Sequence, residues 1–101
     1  MDEYAVGTIE YFVVDVTDHL GHITDLDDYD CNFDVLKEDA VPDEQGSLTW
    51  KYQSETATNE GMKILCLMDT SDWDVGIYLL WATILATPES PRLGPFKFRM
   101  V

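Results

Sequence analysis

The side chains with the strongest chemistry in this chain are two histidines, two cysteines and an unusual number of carboxylates. His19 and His22 stand three apart with Asp18 and Asp25 nearby, a donor set of the kind that holds Zn²⁺. On a turn, that spacing does not bring two imidazoles together as a helix would, so no zinc site is expected. Asp25-Leu26-Asp27-Asp28-Tyr29-Asp30 offers enough oxygens for Ca²⁺ but lacks the glycine and terminal glutamate of an EF-hand loop. A solvated acidic loop is the simpler reading, and the sequence leaves Ca²⁺ binding at 25–30 open. Cys31 and Cys66 form neither a CxxC pair nor a disulfide framework. Both sit in apolar alternation, where a thiol is buried and inert. Neither histidine adjoins a Ser or Cys nucleophile in a recognisable motif, and there is no glycine-rich phosphate loop. No catalytic residue, metal ligand or cofactor is expected, and the chain reads as a non-enzyme.

The elements that must position these groups fit into one domain spanning residues 1–101. The apolar fraction of 46% is enough for a single core, whereas 20 acidic against 6 basic residues give a net charge of −14. Phosphate binding needs clustered Lys and Arg, so nucleic acid and anionic membrane are not expected as partners. The start, Met1-Asp2-Glu3-Tyr4, is acidic and does not resemble a signal peptide. The longest apolar run, Val75 to Ala86, is far short of a membrane span. A protein made in a cytoplasm and not secreted is the expectation. Residues 1–45 carry 14 acids and only Lys37 as a base, yet apolar alternation runs through them, so this half should fold.

Hydrophobic periodicity is two almost throughout. Strands are predicted for Thr8–Val16, Asp30–Lys37, Ser47–Gln53, Met62–Asp69, Val75–Leu85 and Pro95–Val101. The polar stretch 54–61 reads as a connection with room for a short edge strand. Pro88 to Pro95 reads as a shaped hairpin connection. Six strands at this spacing predict an all-β antiparallel sandwich or barrel.

The most specific local signal is Asp74-Val75-Gly76-Ile77-Tyr78-Leu79-Leu80. It resembles the D-x-G-x-Y-x-C sequence of immunoglobulin-like domains, which implies a β-sandwich of six to seven strands with a tyrosine corner at Tyr78. In that resemblance Leu80 stands at the second cysteine, Cys31 suits the first, and Trp50 suits the buried tryptophan of the third strand. The family disulfide cannot form with Leu80. A broader pattern comprises Asp18, Gly21, Asp25-Leu26, Trp50, Gly76, Tyr78, Leu80, Trp81 and the ending PRLGPFKFRMV. It is similar to small immunoglobulin-like structural proteins of tailed bacteriophages, in particular the N-terminal adaptor domains of baseplate and tail-fibre proteins. That resemblance implies a virion structural protein whose partners are other virion proteins or further copies of itself. Tail tip or baseplate is favoured over capsid decoration or neck.

Parity along the sixth strand gives an independent reading. If Tyr78, Leu80, Ala82 and Ile84 point inward, Ile77, Leu79 and Trp81 point outward, where a solitary sandwich should be polar. Lys51, Lys97 and Arg99 share the outward parity. Ile77, Leu79, Trp81, Lys51, Lys97 and Arg99 are therefore the candidate interface, and head-to-tail stacking of a basic-rimmed face on the acidic half is one way to use it. The competing readings are that residues 17–29 or the N-terminal arm cover the stripe, that acidity mimics DNA to inhibit a host nucleic-acid enzyme, and that Trp73 and Trp81 are sugar platforms.

Overall fold

The computed structural model describes residues 1–16, 26–86 and 90–101. Among these the chain is all-β. Its strands are β1 (Asp2–Tyr4), β2 (Ile9–Asp15), β3 (Asp30–Lys37), β4 (Tyr52–Glu60), β5 (Lys63–Asp69), β6 (Gly76–Leu85) and β7 (Arg92–Met100), in the order β1-β7-β6-β3-β4-β5-β2. Every neighbouring pair is antiparallel except β1 and β7, which run parallel. This is the arrangement of an immunoglobulin-like sandwich, with β7, β6 and β3 in one layer and β5 and β2 in the other.

One strand joins the layers. The first part of β4 pairs with β3 (Cys31 opposite Ala57), and its last residues pair with β5 (Thr58 opposite Leu65). On the other side the chain leaves β1 and passes to β2 through hydrogen bonds from Val6 N–H to Val101 O and from Gly7 N–H to Thr70 O. The sheet is thereby nearly closed into a barrel. Thr70, fully buried, pins this crossing. Its hydroxyl donates to Thr8 O at 2.6 Å and accepts from Thr8 N–H at 3.1 Å.

The core follows from alternation. Phe12 and Val14 on β2, Cys31, Phe33 and Val35 on β3, Ile64, Cys66 and Met68 on β5, and Tyr78, Leu80, Ala82 and Ile84 on β6 all point into the space between layers, joined by Phe98 and Met100. An aromatic column crosses it. Ring centroids are 4.9 Å apart for Trp73–Tyr78, 5.7 Å for Tyr78–Phe98 and 5.3 Å for Phe98–Phe12.

Three sequence expectations need correction. Ser47–Gln53 is not a strand; the strand begins at Tyr52 and runs through the polar stretch to Glu60. Backbone pairing with β3 and then β5 holds it, so only Ala57 on it needs to be buried. β7 starts at Arg92, so residues 92–95 belong to the sheet rather than to a hairpin connection. β1 is an additional strand, too short and too acidic to show a period.

Gly94 explains how β7 passes β6. The register shifts between Leu80 and Ala82, and at Gly94, with φ of +115°, an added Cβ would lie 2.6 Å from Leu80 O. Only glycine fits that approach.

Candidate functional site

Asp74, Gly76, Tyr78 and Leu80 form a structural unit rather than a reactive one. Tyr78 is fully buried and its hydroxyl donates to Asp74 O at 2.8 Å, which is tyrosine-corner geometry. Burial, with the nearby Asp74 carboxylate adding to it, pushes the Tyr78 phenol above its ordinary range. Gly76, at φ +142°, makes the entry to β6, and Leu80 is buried in the core.

Trp50 and Cys31 do not take the places the resemblance implied. Trp50 precedes β4, is half-buried, and packs edge-on against Trp81 at 5.7 Å. The core tryptophan is Trp73, on the turn before β6, where it stacks on Tyr78. Cys31 lies in the same layer as β6, opposite Ile84, so it does not face Leu80 across the sandwich. Across the sandwich Phe12 on β2 meets Phe98 on β7, with ring centroids 5.3 Å apart. Both cysteines are free and buried. Desolvation pushes the Cys66 thiol up to about 12 and raises that of Cys31 as well, so neither is a thiolate nucleophile at neutral pH.

His19, His22, Asp18, Gly21 and Asp25 lie outside the described residues. The rest of the acidic loop is tied by Asn59, whose amide donates to Leu26 O at 3.0 Å and to Tyr29 O at 2.7 Å. Among the described residues no group of three His, Cys, Asp or Glu is close enough to hold a metal ion.

The stripe Ile77, Leu79, Trp81 does face outward from β6, but each residue is half-buried by its own chain. Trp50 covers one side of Trp81, and the Arg92 guanidinium lies 5.1 Å from its ring centroid. Ile77 sits beside Glu38 and Asp39 in a shallow depression. Lys97 and Arg99 stand opposite Leu79 and Ile77 in the register. Lys97 is paired with Glu38 at 3.4 Å and Arg99 with Glu3 at 3.5 Å. Lys51 is elsewhere: its N–H donates to Val35 O, and it lines a hollow with Asp69 and Asp72. The six residues therefore do not form one open, basic-rimmed patch. The proposed sugar platforms fare similarly, because Trp73 is core and Trp81 is half-covered.

The exposed apolar surface is on the opposite layer. On β2, Ile9, Tyr11 and Val13 are 67%, 53% and 48% exposed, and on β5 Leu67 is 46% exposed. Tyr11 stands directly opposite Leu67, and Val13 opposite half-buried Leu65, so five apolar side chains make one contiguous face. Among the described residues β2 pairs only with β5, which makes it an edge strand. The sequence carried this signal: the run IEYFVVD is apolar at both parities, as in β6.

Charge adds a constraint. Four of the six basic residues are engaged within the chain, through Lys37–Asp39, Arg92–Asp34, Lys97–Glu38 and Arg99–Glu3. With 20 carboxylates against 6 bases, acidic groups far outnumber the cations that could pair with them. Comparison with family models, with curated proteins and with solved structures finds no match for this chain.

Proposed function

We propose that the chain is a non-enzymatic structural subunit of a tailed-phage particle that docks, through the outer face of β2 and β5, onto a different virion protein of basic character. The observation carrying this reading is the contiguous Ile9, Tyr11, Val13, Leu65, Leu67 surface on an otherwise acidic molecule. An apolar side chain fully buried contributes about 1.5–3 kcal/mol. A face of this kind on a single soluble domain is an interaction surface.

The charge selects the occupant. The face is bounded by Asp69 opposite Ile9 and by Asp15 opposite Lys63. A copy of this chain, net −14 with most of its cations paired internally, has little charge with which to attract it. A partner with Lys and Arg around an apolar centre has that charge. Head-to-tail stacking through Lys97 and Arg99 has less support, since both are already paired with glutamates. The resemblance to adaptor domains favours tail tip or baseplate as the location.

The test is to separate purified particles of the encoding phage into heads and tails and look for the chain by mass spectrometry. It should be present in particles, favouring the tail fraction. The Tyr11→Glu/Leu67→Glu variant should fold normally and be missing from them. Absence from both fractions overturns the structural role; normal incorporation of the variant overturns the assigned face.

A further inference from the structure

A second feature lies on the other layer, at the junction of β3, β4, β6 and β7. Two irregularities meet there: a register shift between Phe33 and Val35 on the β3–β4 ladder, and one between Leu80 and Ala82 on the β6–β7 ladder. Ser54 adopts a left-handed conformation with φ of 52°, rare for a residue with a side chain. Bulges and strained residues of this kind concentrate where a protein re-aims side chains at a ligand. They open a cleft of about 340 Å³, within the range of small-molecule sites.

A hydrogen-bonded cluster around Asp34 lies at the cleft. Asp34, only 8% exposed, accepts from Ser54 N–H at 2.8 Å and from the Arg92 guanidinium at 3.4 Å, and Arg92 in turn lies over Trp81. Further polar groups line the cleft. Asn32, Thr83 and Arg92 stand side by side in one register row, and Gln53 enters from β4. Among the described residues the side chains of Asn32, Gln53 and Thr83 make no hydrogen bond within the chain, so two amides and a hydroxyl are available to both donors and acceptors. The indole of Trp50 forms an apolar wall beside them.

We infer that this cleft binds a neutral saccharide, with one pyranose ring held by Asn32, Gln53 and Thr83 and its C–H face against Trp50. Neutrality follows from the charges. Asp34 and Arg92 cancel one another, which leaves no free carboxylate to grip a cation, and the field of a −14 molecule repels phosphates and other anions. A ligand with adjacent hydroxyls matches groups that donate and accept, while its ring carbons match the indole. This site is independent of the β2–β5 face and lies on the opposite layer.

The test is a glycan array followed by ¹⁵N NMR titration with methyl glycosides of glucose, galactose, mannose and rhamnose and with N-acetylglucosamine, with inorganic phosphate as the anion control. At least one sugar should shift the amides of Asn32, Ser54 and Thr83 in a saturable manner. Trp50→Ala and Asn32→Ala should each weaken that binding tenfold or more with the spectrum otherwise folded, whereas Tyr11→Glu/Leu67→Glu should leave it unchanged. Three results overturn the inference: silence of both array and titration, binding that persists in Trp50→Ala, or phosphate shifting the same amides in place of sugar.

Discussion

Replacing Tyr78 by Phe removes a single oxygen from the junction before β6 and leaves the aromatic column in place. The hydroxyl donates to Asp74 O at 2.8 Å from a fully buried ring, and Asp74 itself is exposed. Water can therefore reach the abandoned carbonyl, and the loss is that of one hydrogen bond rather than of a stranded buried acceptor. A net cost of about 1–1.5 kcal/mol follows. In a domain near 100 residues, each kcal/mol moves the melting midpoint by about 4–8 °C. The assay is urea denaturation followed by fluorescence, with Tyr11→Phe as the control: Tyr11 is 53% exposed, and its variant should stay within about 0.5 kcal/mol of the parent. The pH dependence gives a second arm. The folded phenol of Tyr78 titrates above its ordinary value of 10, so its contribution is complete below pH 10 and is lost as pH rises through the folded value. Tyr78→Phe should lose less stability over that alkaline range than the parent does. If Tyr78→Phe and Tyr11→Phe unfold at the same denaturant concentration, the corner does not hold the fold as reasoned.

Gly94→Ala should lose about 1–3 kcal/mol by calorimetry, since its Cβ meets Leu80 O at 2.6 Å with φ at +115°; Gly46→Ala, with open space around it, reports the strain of positive φ alone and should lose less. Thr70→Val should cost about 1–2 kcal/mol in denaturant, because Thr8 N–H loses its acceptor while Thr8 O keeps the Thr70 N–H; amide hydrogen exchange should quicken first at Gly7 and Thr8. Cys66, with its thiol pushed up to about 12 against an ordinary value of 9, should make stability fall as pH climbs from 9 towards 12, and Cys66→Ala should flatten that fall. Below pH 9, thiol reagents should label neither cysteine until the protein unfolds, and labelling of the native fold would refute the buried assignment.

The inward parity of β3, β5 and β6 was legible because every second residue of each is apolar and faces the core, from Cys31, Phe33 and Val35 to Tyr78, Leu80 and Ile84. β4 was not legible. Its backbone pairs first with β3 and then with β5 while its side chains remain mostly in solvent, and periodicity reports side-chain burial rather than pairing. Trp50 and Trp73 exchange roles for a related reason: composition says that a tryptophan is available to the core, but only the position of the turn before β6 brings Trp73 onto Tyr78. The position of the exposed apolar face depends on where each strand lies in the sheet. β6 is apolar on both parities and so is β2, yet β6 lies inside its layer with loop residues over it, whereas β2 lies at an edge. Edge or interior is a property of topology, which one strand's sequence does not contain.

The parallel pairing of β1 with β7 sets how the molecule carries mechanical load. Asp2, Glu3 and Tyr4 lie alongside Phe98, Arg99 and Met100, so the first and last strands run in the same direction as neighbours. Tension applied between the two ends of the sandwich drags these strands past one another, loading their hydrogen bonds together instead of opening them one by one. The fold, pulled through its two terminal strands, would resist as a unit up to a threshold force and then yield abruptly.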